Sequence, residues 1–270
     1  MTISLRPRGP FSLPEPLSLA LTDDGGEPVA FRAAWSEAAG AVEVDFVSDL
    51  PAARVERHAA RVLSLDVDAT GLAEVGERDP VIGRLLQESG GRRPVLFGTP
   101  FEAAVWAVLS QRVSMAQAGR VRDALAAELG TVMEVCGTAV TAFPAPAALA
   151  ERESFPGVWD TKLERIRGIA AAAVAGDLDP ERLRELDLDE AFEHVQTLPG
   201  IGPFAATLIL ARGAGHPDVP PPTLRRFRQA VAAAYALPEE PDEAKLAELS
   251  EAWRPYRAWV TYALRSRGPG

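Results

Sequence analysis

Five residues, Leu198-Pro199-Gly200-Ile201-Gly202, constrain this chain more than any other stretch. Two glycines one residue apart let the backbone turn sharply and come close to a ligand. Pro203 follows where proline favours the start of a helix, since its fixed φ suits the first turn and no N–H is needed there. Upstream, Asp187 and Glu190 have the spacing of a capping box. The pattern predicts a helix, a tight glycine hairpin and a second helix ending at Gly213, over residues 188–213. The second helix would present unpaired N–H groups and partial positive charge to an anion. The same geometry also serves as a plain corner between two helices.

The chain on either side divides into two expected units. Residues 1–90 read as an α+β lobe with a small antiparallel sheet. From Ala41 to Val47, Val42, Val44 and Phe46 alternate with Glu43 and Asp45, as in a half-buried strand. Pro28 to Trp35 is its expected partner, with the turn between Glu37 and Gly40. Helical periodicity follows at Pro51–Leu65 and Pro80–Gln87, and Gly90-Gly91 marks the boundary. Residues 91–270 read as helical almost throughout. Thr99 with Glu102, and Ser114 with Gln117, have capping-box spacing, and Pro100 sits at a first helical position. The loop Ser110-Gln111-Arg112-Val113 between these two helices must project outward.

Composition narrows the function classes. A single cysteine, Cys136, excludes a disulfide framework and a four-cysteine iron–sulfur cluster, and three scattered histidines suggest no metal site. The first residues lack an apolar leader and no long apolar run occurs, so a cytoplasmic chain without membrane contact is expected. The net charge of −10 opposes casual nucleic-acid binding. Its distribution is uneven. Residues 177–193 carry eight acids against two arginines, whereas residues 198–230 carry Arg212, Arg225, Arg226 and Arg228 against Asp218 alone. The C-terminal stretch adds Arg254, Arg257, Arg265 and Arg267 against Glu251.

Five blocks carry a family resemblance: Arg8–Phe11, Thr99–Ser114, Ala142–Ala150, Val195–Ala206 and Trp253–Leu264. Their text and order resemble the helix-hairpin-helix DNA glycosylase superfamily, most closely the bacterial type II 3-methyladenine DNA glycosylases. The resemblance implies an α+β fold with a small N-terminal sheet and a helical domain around the hairpin. It implies duplex DNA, damaged or not, as the partner of a DNA-repair protein acting as a monomer. It further implies that Gly200, Ile201 and Gly202 clamp phosphate, and that Gln111 and Arg112 stand in the loop that fills the gap left by an everted base. Backbone oxygens of Thr197, Gly200 and Gly202 would hold a sodium or potassium ion; no other cofactor is implied. Phe204, Leu208, Arg265, Phe11 and Arg225 would line the base pocket, and Phe204 would also meet DNA.

The family's catalytic aspartate follows a D-x-F-P-x-x-D loop. Here Asp218-Val219-Pro220-Pro221-Pro222-Thr223-Leu224 aligns without a gap, which places Leu224 at that position. A missing electrostatic group of this kind typically costs about 3–4 kcal/mol of transition-state stabilisation. The helix leading into the hairpin holds no lysine for a Schiff base. Three readings therefore stay open: a DNA binder with weakened or lost base excision, an active alkylbase glycosylase using another carboxylate such as Asp218, and a non-enzymatic interaction module. The first is preferred.

Overall fold

The structure is a computed structural model that describes residues 1–23 and 25–266. Alternation sets the sheet. Strand β4 (Ala41–Val47) buries Val42, Val44 and Phe46, and β3 (Pro28–Ser36) pairs with it so that Phe31 faces Phe46 and Ala33 faces Val44. Two shorter strands, β1 (Thr2–Leu5) and β2 (Leu17–Thr22), complete an antiparallel sheet of order β1-β4-β3-β2. Helix α1 (Ala52–Val62) lays Val55, Ala59 and Val62 on its buried face.

Helices α2 (Leu72–Arg78) and α3 (Pro80–Glu88) belong to a different core. Their Val75, Ile82 and Leu85 pack with residues near the C-terminus, including Phe227, Trp253 and Trp259. Asp79 anchors that core. It caps α3 by accepting from Val81 and Ile82 N–H, and the same carboxylate accepts from the Tyr235 hydroxyl and, at 3.3 Å, from Trp253 Nε1. Burial and this carboxylate push the Tyr235 phenol well above its ordinary range.

Helix α4 (Pro100–Leu109) begins at the Thr99 cap, whose hydroxyl accepts from Glu102 N–H. The returning half of the box differs from the expectation. Glu102 accepts from Gly98 N–H, one residue before the cap, and pairs with Arg122 of α5 (Met115–Leu129) at 2.7 Å. The expectation of helix throughout this region is corrected next: β5 (Thr131–Val135) and β6 (Thr138–Ala142) form a hairpin. Cys136 and Gly137, with φ of 49° and 74°, supply its two left-handed turn residues. The hairpin packs against β2 and β3, and Thr22 reaches the Phe143 carbonyl, so the sheet stabilises strands that alternation over five residues does not announce.

Helices α6 (Pro146–Ala150), α7 (Asp160–Val174), α8 (Pro180–Glu185) and α9 (Leu188–Gln196) lead to the glycine hairpin. Asp187 occupies the cap of α9 but its side chain makes no capping bond, so the expected box is absent. After the hairpin come α10 (Pro203–Leu208) and a π-helical turn, Ile209–Ala214, which ends at Gly215 in the left-handed region. Helices α11 (Arg225–Tyr235), α12 (Glu243–Glu251) and α13 (Arg257–Ser266) close the chain.

Two buried arginines join these parts. Arg61 of α1 donates to the carbonyls of Phe97, Gly98 and Gly213, pinning the sheet lobe to α4 and the π turn. Arg93 donates to the carbonyls of Arg8, Pro10, Ser64 and Val67 while its guanidinium lies over Phe11 and Trp259, 5.6 and 5.3 Å from their ring centres. Burial lowers its pKa to about 10.

Candidate functional site

The hairpin is built by its neighbours as much as by its own glycines. Gly200 has φ of 79°, and a side chain there would collide with Arg165 of α7. Ile201 turns inward and is buried in the helical core, leaving its backbone at the surface. Gly202 caps α10, with Ala206 N–H reaching its carbonyl at 2.9 Å. Pro199 lies against Gly168 of α7, where an added Cβ would stand 2.7 Å from Pro199 Cγ. The hairpin is thus seated on α7 at close backbone range.

Gln111 does not reach outward. Its amide donates to the Gly200 carbonyl at 2.8 Å and its oxygen accepts from Arg165 at 3.0 Å. Lys162 donates to the carbonyls of Leu109 and Gln111, both at 2.8 Å. The loop after α4, the start of α7 and the hairpin are therefore one ledge. Burial, followed by Arg165, lowers the Lys162 pKa. The expectation that Gln111 itself contacts a ligand is corrected, because both ends of its amide are taken. Arg112, the next residue, is exposed with φ of 57°, as an outward-projecting loop tip requires. The proposed cation cradle also fares poorly as a cage. The Gly200 carbonyl accepts from Gln111 and the Gly202 carbonyl from Ala206, so these oxygens form no free ring around an ion.

Beside the ledge lies a cavity of about 380 Å³. Phe204, Leu208 and Arg212 line it from α10 and the π turn. Trp106 contributes from α4, Val219 and Pro222 from the proline loop, and Thr261, Tyr262 and Arg265 from α13. Three expected pocket residues, Phe204, Leu208 and Arg265, come together here. Two do not, and both are corrections. Phe11 lies in the sheet lobe, stacked on Trp35 and Arg93, because the Arg8–Phe11 segment is held by Arg93. Arg225 points to solvent at the start of α11 and pairs with Glu240 at 3.2 Å.

Sequence reasoning missed Trp106, Arg212 and Tyr262. A signal existed for the last: Ala258, Thr261, Tyr262 and Arg265 recur at helical spacing on one face of α13, opposite its buried Trp259, Val260 and Leu264. Arg212 lies over the Tyr262 ring at 5.4 Å, donates to the Val95 carbonyl at 2.6 Å, and has its pKa lowered by burial.

No carboxylate lines this cavity among the described residues. Leu224 stands at the N-cap of α11, exposed and without a side-chain capping bond. Asp218 faces elsewhere. Arg257 grips both its oxygens at 3.0 and 2.9 Å, and Arg254 adds a third contact at 2.8 Å. Charge segregation along the sequence is therefore only partly spatial. Arg225, Arg254 and Arg257 are answered by Glu240, Asp218 and Glu251, while Arg267 lies outside the described residues. Among the described residues no group of three or more histidine, cysteine or acidic side chains could hold a metal ion, and no helix is long and apolar enough to cross a membrane.

No family model matches the chain. It is 25% identical over 205 residues to the DNA-3-methyladenine glycosylase of Bacillus subtilis, a match covering 74% of this chain and 67% of that protein. It is 32% identical over 207 residues to a probable bifunctional transcriptional activator/DNA repair enzyme AlkA of Mycobacterium tuberculosis, covering 76% of this chain but only 40% of that longer protein. The structure of a 3-methyladenine DNA glycosylase from Archaeoglobus fulgidus superimposes with a TM-score of 0.76 at 21% identity, covering 98% of this chain and 96% of the other. A Schizosaccharomyces pombe 3-methyladenine DNA glycosylase solved with abasic DNA gives 0.55 at 22% identity, covering 72% of this chain and 93% of the other. The chain thus has the α+β fold of the helix-hairpin-helix DNA glycosylases and is 3-methyladenine DNA glycosylase-like in sequence.

Proposed function

We propose that the protein binds duplex DNA through the hairpin ledge, receives an everted base in the aromatic cavity, and excises that base slowly or not at all. The observation that carries the reading is a cavity beside the hairpin, walled by Trp106, Phe204 and Tyr262, with no carboxylate in its described lining. Everting a base costs a few kcal/mol, and aromatic faces recover part of that by stacking. Arg112 at the tip of a rigid loop can stack on the bases left behind or pair with phosphate. The backbone amides around Gly200 and Gly202 and the cations Lys162 and Arg165 meet the phosphates.

Chemistry is where the site differs from what the family resemblance implies. Cleaving the sugar–base bond develops positive charge on the sugar, and an anion held beside it lowers the barrier. Leu224 offers none. Asp218, the alternative acid, is neutralised by two arginines, one of them buried, so moving it would leave Arg257 uncompensated.

Two measurements test the proposal. Fluorescence anisotropy with an undamaged duplex is expected to give salt-sensitive, sequence-independent affinity, and Gly200→Val with Gly202→Val is expected to abolish it. Base release from methylated DNA is expected to be at background for the wild type and to appear in Leu224→Asp. Robust wild-type release would overturn the assignment to Leu224.

A further inference from the structure

The cavity is rich in donors and poor in acceptors. Burial strands two polar atoms on its wall: Arg212 Nε and Thr261 Oγ1 have no hydrogen-bond partner among the described residues. A buried donor left unpaired costs about 1–3 kcal/mol, so both atoms are poised for something that enters. Arg265 adds a third donor group on the same side, one helical turn from Thr261 along α13. Arg212 and Arg265 sense each other as like charges. Against them stand flat aromatic faces, Trp106, Phe204 and Tyr262, and no acid.

From these donors we infer that the cavity selects an uncharged planar base bearing exocyclic oxygen, such as a 6-oxopurine, and rejects a base carrying fixed positive charge. An oxygen and a ring nitrogen supply acceptors to the stranded Nε–H, the threonine hydroxyl and the Arg265 guanidinium. A cationic N-methylated base would instead set a third positive charge beside two arginines in a partly desolvated space, where repulsion is strong. An uncharged base is also a poorer leaving group than a cationic one, which suits a site that holds rather than cleaves. The inference deepens the proposed function by naming the ligand class of the same cavity, and it rests on that reading for the route of entry.

The test uses matched probes. Duplexes of one sequence carrying a single hypoxanthine, a single 7-methylguanine or no lesion are titrated by anisotropy. Free inosine and 7-methylinosine are titrated in mildly acidic buffer by tryptophan fluorescence, without DNA. Preference for the uncharged member is expected in both series by about tenfold, the ratio worth one charge-assisted hydrogen bond. Arg265→Gln and Thr261→Val are each expected to shrink that ratio, and Arg265→Glu to reverse it, with circular dichroism confirming that each variant folds. Equal or tighter binding of the methylated members, or a preference untouched by all three substitutions, would overturn the inference. Nucleoside preference without any duplex binding would instead overturn the DNA reading and leave the cavity's selectivity standing.

Discussion

Leu224 shows how one side chain can decide two properties at once. It caps α11 without a polar atom, and the first turn it opens carries Arg225, Arg226 and Arg228, cations placed at the positive end of a helix. Leu224→Asp is therefore expected to stabilise the protein by about 1 kcal/mol in urea unfolding, independently of any gain in base release. His58 sets a second residue-scale property. Burial first, then Arg61, lowers its pKa to about 4, with Asp23 opposing. The folded protein holds this imidazole neutral while the unfolded chain protonates it near pH 6.5. Stability from His58 is thus complete above the unfolded pKa and is lost as pH falls from there through the folded value. Wild type is expected to lose about 3 kcal/mol more than His58→Gln between neutral pH and pH 4, read as the difference of their unfolding curves.

At the scale of elements, the ledge behaves as a unit because Gln111 joins its parts. Gln111→Ala removes the bond to the Gly200 carbonyl and the acceptor for Arg165, and is expected to weaken duplex affinity by about tenfold while costing only about 1 kcal/mol of stability. Equal affinity in the variant would show that the ledge needs no such tie. This is also where the sequence was most and least legible. The β3–β4 pair was readable because alternation over seven or more residues leaves no other period, and the hairpin because two glycines and a proline dictate their own geometry. The β5–β6 hairpin was not, since five-residue strands take their stability from the neighbouring sheet. Nor was the cavity wall: Trp106 and Arg212 are remote in sequence, and only the packing of α4 against the π turn brings them together. Phe11 misled for the same reason, its position being set by Arg93, eighty-two residues away.

Across the whole molecule, the sheet lobe and the helical part are coupled through charge without a counter-charge. Arg61 is almost fully buried and satisfies carbonyls from three places at the junction. Arg61→Met would keep most of the packing but strand those oxygens, and is expected to destabilise by about 3 kcal/mol or more. If the lobes were independent, the variant would unfold in two separated transitions; a single shifted one is expected. The core shared by α2, α3 and the last three helices has a consequence for how the chain is made. On the ribosome, Val75, Ile82 and Leu85 emerge long before Trp253 and Trp259, and they wait, greasy and uncovered, for most of translation. Nascent chains stalled before residue 250 should therefore recruit chaperones and be cut by protease within α2 and α3, and lose both traits once α13 has cleared the exit tunnel.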